Sequence, residues 1–288
     1  MRQRLISLTI VFLTLIVPQA HARDRAIHAD FDRQKVRNYN IALTPLFSLV
    51  SAVVQRRVHS WRDAGYQLAV GTAAGASYYE AKRMIGTGHA TAGWMLTNAT
   101  ASAIENAASG EHLFGRFGYT VGPLRFRVAT PLAREAIARI EMDWSLSETA
   151  SLAKALSQAN HVSIRNGIIA TDRDTCWPDP DIKGHFFCGR TYGVFSGLAP
   201  IAVQEKRSTL WHHEMIHAAQ SQQLDSVEPP VYTFGGEPRA SGQLRLFAVR
   251  NVRLGFTHIL DIPTYQRPYQ QRWNEVEAYA LAERTPVP

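Results

Sequence analysis

The chain has 288 residues, 45% of them hydrophobic and 19% charged, with a formal net charge of +7. That length admits one large or two small domains, and the composition excludes an intrinsically disordered chain. The basic residues are scattered rather than gathered into runs, so no nucleic-acid partner is expected. Two uses remain for the excess charge, a merely soluble basic surface or peripheral contact with an anionic membrane or cell envelope.

Residues 1–22 read as a cleavable secretory signal. Arg2 and Arg4 form a positive start, Ile6 to Val17 a short apolar core, and Ala20-His21-Ala22 a small-x-small cleavage site. An uncleaved anchor is the alternative, but the apolar run falls short of the about 20 residues that a spanning helix needs. Removing the segment takes away two arginines and no acids, which lowers the formal charge from +7 to +5. The expected location is therefore periplasmic or extracellular.

Residues 23–120 are expected to form a helical region rich in small residues. Within residues 24–60, Leu46, Leu49, Val50, Val53 and Val54 recur at helical spacing, with Pro45 near a helix start. Residues 63–110 carry Gly71, Gly75, Gly86, Gly88 and Gly93 among many Ala, Ser and Thr, a composition that lets helices approach closely. Glu80, Lys82, Arg83 and Glu105 interrupt the apolar character, which favours a soluble helical hairpin or bundle over membrane helices. A soft boundary follows between about residues 110 and 145, and residues 121–288 read as a mixed α+β domain.

Val121 to Val128 alternates apolar and basic residues in the manner of a half-exposed strand. Ser145-Leu-Ser-Glu148 is a capping box that opens a helix through roughly Ser157. Asn166-Gly167 between two β-rich runs predicts a tight hairpin. A second hairpin is expected around Ser196-Gly197. Between them stand the two cysteines, Cys176 and Cys188, which in an exported chain are expected to form a disulfide. The loop that it would close holds Pro178, Pro180 and Gly184 and is expected to have little regular structure; closing it contributes about 3 kcal/mol in the chain-entropy picture. A pair of metal thiolates is the competing use, against which the wide spacing argues.

The chemistry lies in Ser208-Thr-Leu-Trp-His-His-Glu-Met-Ile-His-Ala-Ala-Gln220, where Ser208 can cap a helix. His213 and His217 stand at i and i+4, on one face and one turn apart, so their imidazoles can converge on one zinc ion. Glu214 follows the first histidine and can hold a zinc-bound water and take its proton. His212 points to another side of the helix and reads as a surface or cleft-edge histidine. Trp211, Met215, Ile216 and Ala219 supply apolar surface to bury the helix. A hydrolytic zinc has three protein ligands and an open position. The third must come from elsewhere, and Trp273-Asn274-Glu275-Val276-Glu277-Ala278-Tyr279-Ala280 is a short amphipathic helix with two candidate carboxylates, only one of which can face the ion.

The two segments together resemble the gluzincin metallopeptidases, in which an H-E-x-x-H helix is followed by a later helix bearing a glutamate ligand. Asn274-Glu275 matches the N-E start of that later motif, His217-Ala218 matches the H-E-x-x-H-A form, and residues 160–284 look most like small minigluzincin domains. The resemblance implies a zincin-like domain with one zinc ion, Glu275 as third ligand and Glu277 as second choice. It also implies that the strand Ile201–Glu205 edges a cleft where an extended peptide pairs. Where the family places an aspartate four residues after the glutamate, this chain has Tyr279, a weaker partner for a metal-bound imidazole. Tyr265, Tyr269 and Arg267 are candidates to stabilise an oxyanion, each with a packing or surface role as its alternative.

The expected function is an extracytoplasmic zinc metallopeptidase acting on peptide or protein substrates. The alternative is a catalytically weak or inactive zinc-binding module whose helical region binds a membrane or protein partner. A proenzyme is a third reading, with Arg56-Arg57 as its sole candidate processing site.

Overall fold

Small residues decide how the N-terminal helices meet. The computed structural model describes residues 33–54, 56–121, 124–133, 140–145, 153, 156–157, 161–165, 168–178, 186–194, 201–203, 207–225, 248–250 and 273–282. The expected signal peptide, Tyr265, Arg267, Tyr269 and the Leu146–Glu148 part of the capping box lie outside them. Helix α1 runs Arg33–Val54, α2 Trp61–Gly86 and α3 Ala90–Ser109. Pro45 lies inside α1 rather than near its start. A proline there removes one intrahelical hydrogen bond, and α2 approaches closely at that point: a side chain on Gly71 would come within 2.4 Å of the Pro45 backbone. The start of α2 is fixed by a capping box, in which Ser60 Oγ accepts from the Asp63 amide and Asp63 Oδ2 accepts from the Ser60 amide. No helix among the described residues is long and apolar enough to cross a membrane.

Strands β1 (Arg116–Val121), β2 (Leu124–Ala129) and β3 (Ile140–Ser145) form an antiparallel meander, joined in parallel by β8 (Ala248–Arg250). Within the segment Val121 to Val128, Val121 ends one strand and Leu124 opens the next. The alternation is real, but the buried face is the basic one. Arg125 and Arg127 are buried and Val128 is exposed. Glu105 of α3 accounts for this, its Oε2 lying 3.2 Å from Arg125 Nη2 and 3.4 Å from Arg127 Nη2.

A second sheet holds β4 (His161–Arg165), β5 (Ile168–Pro178), β6 (Phe186–Val194) and β7 (Ile201–Val203), each antiparallel to the next. Arg165 pairs with Ile168 across the Asn-Gly position, as the hairpin motif requires, and β6 with β7 forms the second hairpin. Cys176 and Cys188 stand directly opposite each other in the β5–β6 register. At the two ends of the stretch between them Trp177, Pro178, Phe186 and Phe187 continue the same ladder, and residues 179–185 lie outside the described residues.

Helix α4 (Arg207–Asp225) carries the H-E-x-x-H motif and α5 (Trp273–Ala282) the two carboxylates. Helix α4 starts at Arg207, so Ser208 sits in its first turn rather than at its cap. The chain is α+β, and its main core joins both halves: Val36, Tyr79, Ile85 and Trp94 from α1–α3 pack with Met215, Ile216 and Ala219 of α4 and Ala278 and Leu281 of α5. Alanines on the buried sides of α4 and α5 keep the two backbones close.

The tightest seam is where α2 ends on α5. A Cβ at Gly86 would lie 2.1 Å from the Leu281 carbonyl oxygen, so any side chain there must push the two helices apart. We expect Gly86→Ala to destabilise the fold by about 1–3 kcal/mol, the usual cost of overpacking. Gly65→Ala, on the same helix with nothing within 4 Å of the added methyl, is expected to stabilise by up to about 1 kcal/mol. Urea unfolding of both variants checks the pair, and equal effects would rule out the close approach.

Candidate metal centre

Helix α4 is buried on nearly every side, with Met215, Ile216, Ala218 and Ala219 inaccessible to solvent. Its motif residues therefore face protein rather than water. His213 and Glu214 are buried, His217 is partly so, and Glu275 arrives from α5 fully buried. The three expected ligands meet. His213 Nε2 lies 3.1 Å from His217 Nε2, Glu275 Oε2 lies 3.3 Å from His213 Nε2, and Glu275 Oε1 lies 3.2 Å from His217 Nε2. These three residues form a group able to hold a metal ion.

The triangle has the size that an ion needs. Zinc bonds of about 2.0–2.1 Å at tetrahedral angles place neighbouring donor atoms about 3.3–3.4 Å apart, close to the observed edges. The donor set also fits: two imidazoles through Nε2 and one carboxylate leave a tetrahedral corner free. The imidazole rings stand nearly perpendicular, with centroids 4.7 Å apart and an interplanar angle of 84°. Tyr279, the departure from the expected aspartate, sets its ring 4.5 Å from that of His213. A face of His213 is thus held by aromatic contact. On the other imidazole, His217 Nδ1 is 2.8 Å from Gln220 Oε1.

Glu277 does not share the cluster. Two positions on from Glu275, it points to another side of α5 and makes an ion pair with Lys82 Nζ at 2.8 Å. It is thereby committed elsewhere, which leaves Glu275 as the carboxylate at the histidines. Lys82 lies in sequence between Glu80 and Arg83. Those two do pair at the exposed surface, 2.7 Å apart, but Lys82 is only 1% accessible. His212 is half-buried and close to Gly88, and burial lowers its pKa.

The electrostatics favour positive charge. For His217, burial opposes protonation, but the hydrogen bond and charge of Glu275, with help from Glu214, outweigh it and raise the imidazole to about 9. Burial lowers His213. Burial also pushes the Glu214 carboxyl up to about 7, with His217 pulling it down and Glu275 pushing it further up. Among the described residues Glu214 Oε1 has no hydrogen-bond partner, although it is buried. A buried acceptor of that kind needs a donor, and a water within the site would provide one.

Two outcomes follow for the ion-free protein. The folded state binds the His217 proton more tightly than the unfolded chain does, so this contribution to stability is complete below about 6.5 and is lost as pH rises through about 9. Denaturant unfolding across that window measures it, and Glu275→Gln is expected to flatten the trend. Metal binding near pH 7 must displace the His217 proton and draw off part of the Glu214 proton, giving release of between about one and two protons per ion. Calorimetry in buffers of different ionisation enthalpy reads that number; binding without proton release would contradict the assignment.

No protein-family model, curated protein or solved structure matches this chain, so the centre has to be understood from its own geometry.

Proposed function

We propose that this chain is an exported zinc metallopeptidase of the gluzincin kind, with His213, His217 and Glu275 as ligands and Glu214 as general base. The observation that carries this is the ligand-sized triangle at 3.1–3.3 Å with a buried carboxyl of raised pKa beside it. A structural metal site has no use for such a group, because its coordination is closed by protein. Arrival of the third ligand on a separate helix, in an α+β chain, agrees with a zincin-like arrangement.

A zinc ion held by these three residues supplies Lewis acidity, polarising a scissile carbonyl and lowering the pKa of a water. Glu214 takes the proton of the attacking water and passes it to the leaving amine. Burial raises its pKa in the ion-free site, and a cation held beside it would favour the ionised form that accepts a proton. The buried surroundings strengthen each charge interaction by excluding water. Strand β7 stands at the edge of its sheet, just before α4. An extended peptide is accommodated at such an edge by backbone pairing.

Glu214→Gln is expected to keep stoichiometric zinc while hydrolysis of an unfolded protein substrate falls at least about 10²–10⁴-fold. His217→Ala is expected to lose zinc and activity together. Full zinc occupancy with no hydrolysis in wild type and variant alike would instead favour the non-catalytic zinc module.

Export also makes Cys176 and Cys188 a disulfide, which their direct opposition in the β5–β6 ladder supports. Thiol titration of the purified, denatured chain is expected to find no free thiol before reduction and two after it.

A further inference from the structure

Glu277 is buried behind the centre among partners from three other helices. Its Oε1 accepts from Asn40 Nδ2 at 2.6 Å and from Lys82 Nζ at 2.8 Å. Its Oε2 accepts from Lys82 Nζ at 3.0 Å and from Gln220 Nε2 at 2.7 Å. Lys82 Nζ donates further to Asn40 Oδ1 at 2.8 Å and to Gln223 Oε1 at 2.7 Å. Acceptors from three residues around one nitrogen use all the hydrogens of an ammonium group. Lys82 is therefore a cation, and Glu277 is a carboxylate that can only accept.

That restriction propagates. A carboxylate at Glu277 takes the amide NH2 of Gln220, which turns Gln220 Oε1 toward His217 Nδ1, 2.8 Å away. An amide oxygen cannot donate, so Nδ1 carries a hydrogen. Nε2 is then the nitrogen with a lone pair to offer, and it is Nε2 that faces His213 and Glu275. Partners on the far nitrogen of a ligating histidine commonly set its tautomer, ring orientation and metal affinity.

We propose that Lys82, Glu277 and Gln220 are positioning residues that hold His217 in its metal-binding tautomer and orientation, so that helices α1 and α2 are working parts of the centre. This rests on the cluster being a metal site, as above, but not on the reaction carried out there. Asn40 of α1 belongs to the same device, since its side chain joins both Lys82 and Glu277. The carboxylate that commonly backs a metal-ligating histidine acts here at one remove, through a chain of three residues drawn from α2, α5 and α4.

The test uses the mature chain, a competitive zinc titration, the visible spectrum of the cobalt(II)-loaded protein, and imidazole nitrogen NMR of the metal-free form above pH 9, where His217 is neutral. Gln220→Leu removes both hydrogen bonds and leaves Glu277 with Lys82 and Asn40, so the fold is expected to persist. Zinc affinity is expected to fall about 10–100-fold, with an altered cobalt spectrum and loss of the single Nδ1–H tautomer at His217. The double variant K82M/E277L removes the ion pair without stranding a buried charge, and it is expected to shift all three readouts in the same direction. A folded Gln220→Leu protein with wild-type affinity, spectrum and tautomer would overturn the proposal. Should Gln220→Leu not fold, K82M/E277L decides by the same criteria. Absence of zinc binding in the wild-type protein would remove the metal centre itself, and that failure is visible before any variant is made.

Discussion

Two carboxylates, Glu275 and Glu277, are buried two residues apart on one ten-residue helix, and the fold around them is organised by the need to balance their charge. A carboxylate withdrawn from water costs several kcal/mol unless a cation and hydrogen-bond donors replace its hydration. Two positions along a helix separate the side chains by about 200°, so no single cation can serve both. Glu277 takes Lys82 from one side. Glu275 meets two imidazoles on the other, and this is where a positive charge must come from outside the polypeptide or from a proton.

This constraint explains why the helical N-terminal region and the motif-bearing helices share one core. Lys82 is 195 residues from Glu277 in sequence, and it reaches it only because α2 lies against α4 and α5 with small residues at the seams. Gly86 lets the end of α2 touch the Leu281 backbone, and Gly75 lets α2 come against the Asn40 carbonyl of α1, where an added Cβ would lie 2.4 Å away. The stripe of small residues thus sets the reach of a buried lysine. The polar network continues on the other flank of α4, where Gln222 donates to Asn98 and Thr120, tying that helix to α3 and β1.

The local part of this arrangement was legible in the sequence. Histidines at i and i+4 must share a helix face, and Asn-Gly between β-rich runs must turn, because both follow from backbone geometry alone. A choice between Glu275 and Glu277 was legible only through resemblance, since helix periodicity says that one faces the ion without saying which. Residues whose role depends on distant partners were misjudged. Lys82 registered in the sequence only as an interruption of an apolar stretch, since lysines are rarely fully buried; its burial is apparent only beside Glu277. Arg125 and Arg127 put the basic face of β2 inward because Glu105 waits on α3, and strand periodicity cannot tell which face meets a counter-charge. Pro45 suggested a helix start, since a proline costs least there, yet α1 continues through it under the packing of α2.

Charge counting links the two sides of α5. Lys82 and Glu277 cancel, leaving Glu275, Glu214 and the two histidines to reach neutrality among themselves. Without an ion they do so by holding protons: His217 is raised to about 9 and Glu214 to about 7, so one imidazolium offsets Glu275 while Glu214 hovers between its neutral and charged forms. A divalent cation offers another neutral arrangement, in which both carboxylates are ionised and both imidazoles are neutral. The two arrangements differ by exchanging between about one and two protons for one ion, and the arrangement with the ion carries no net charge. In the second arrangement Glu214 is an anion whose charge, together with that of Glu275, balances the ion. The feature that makes the pocket tolerable to the fold when an ion is bound, an ionised Glu214, is therefore the same one that a general base requires.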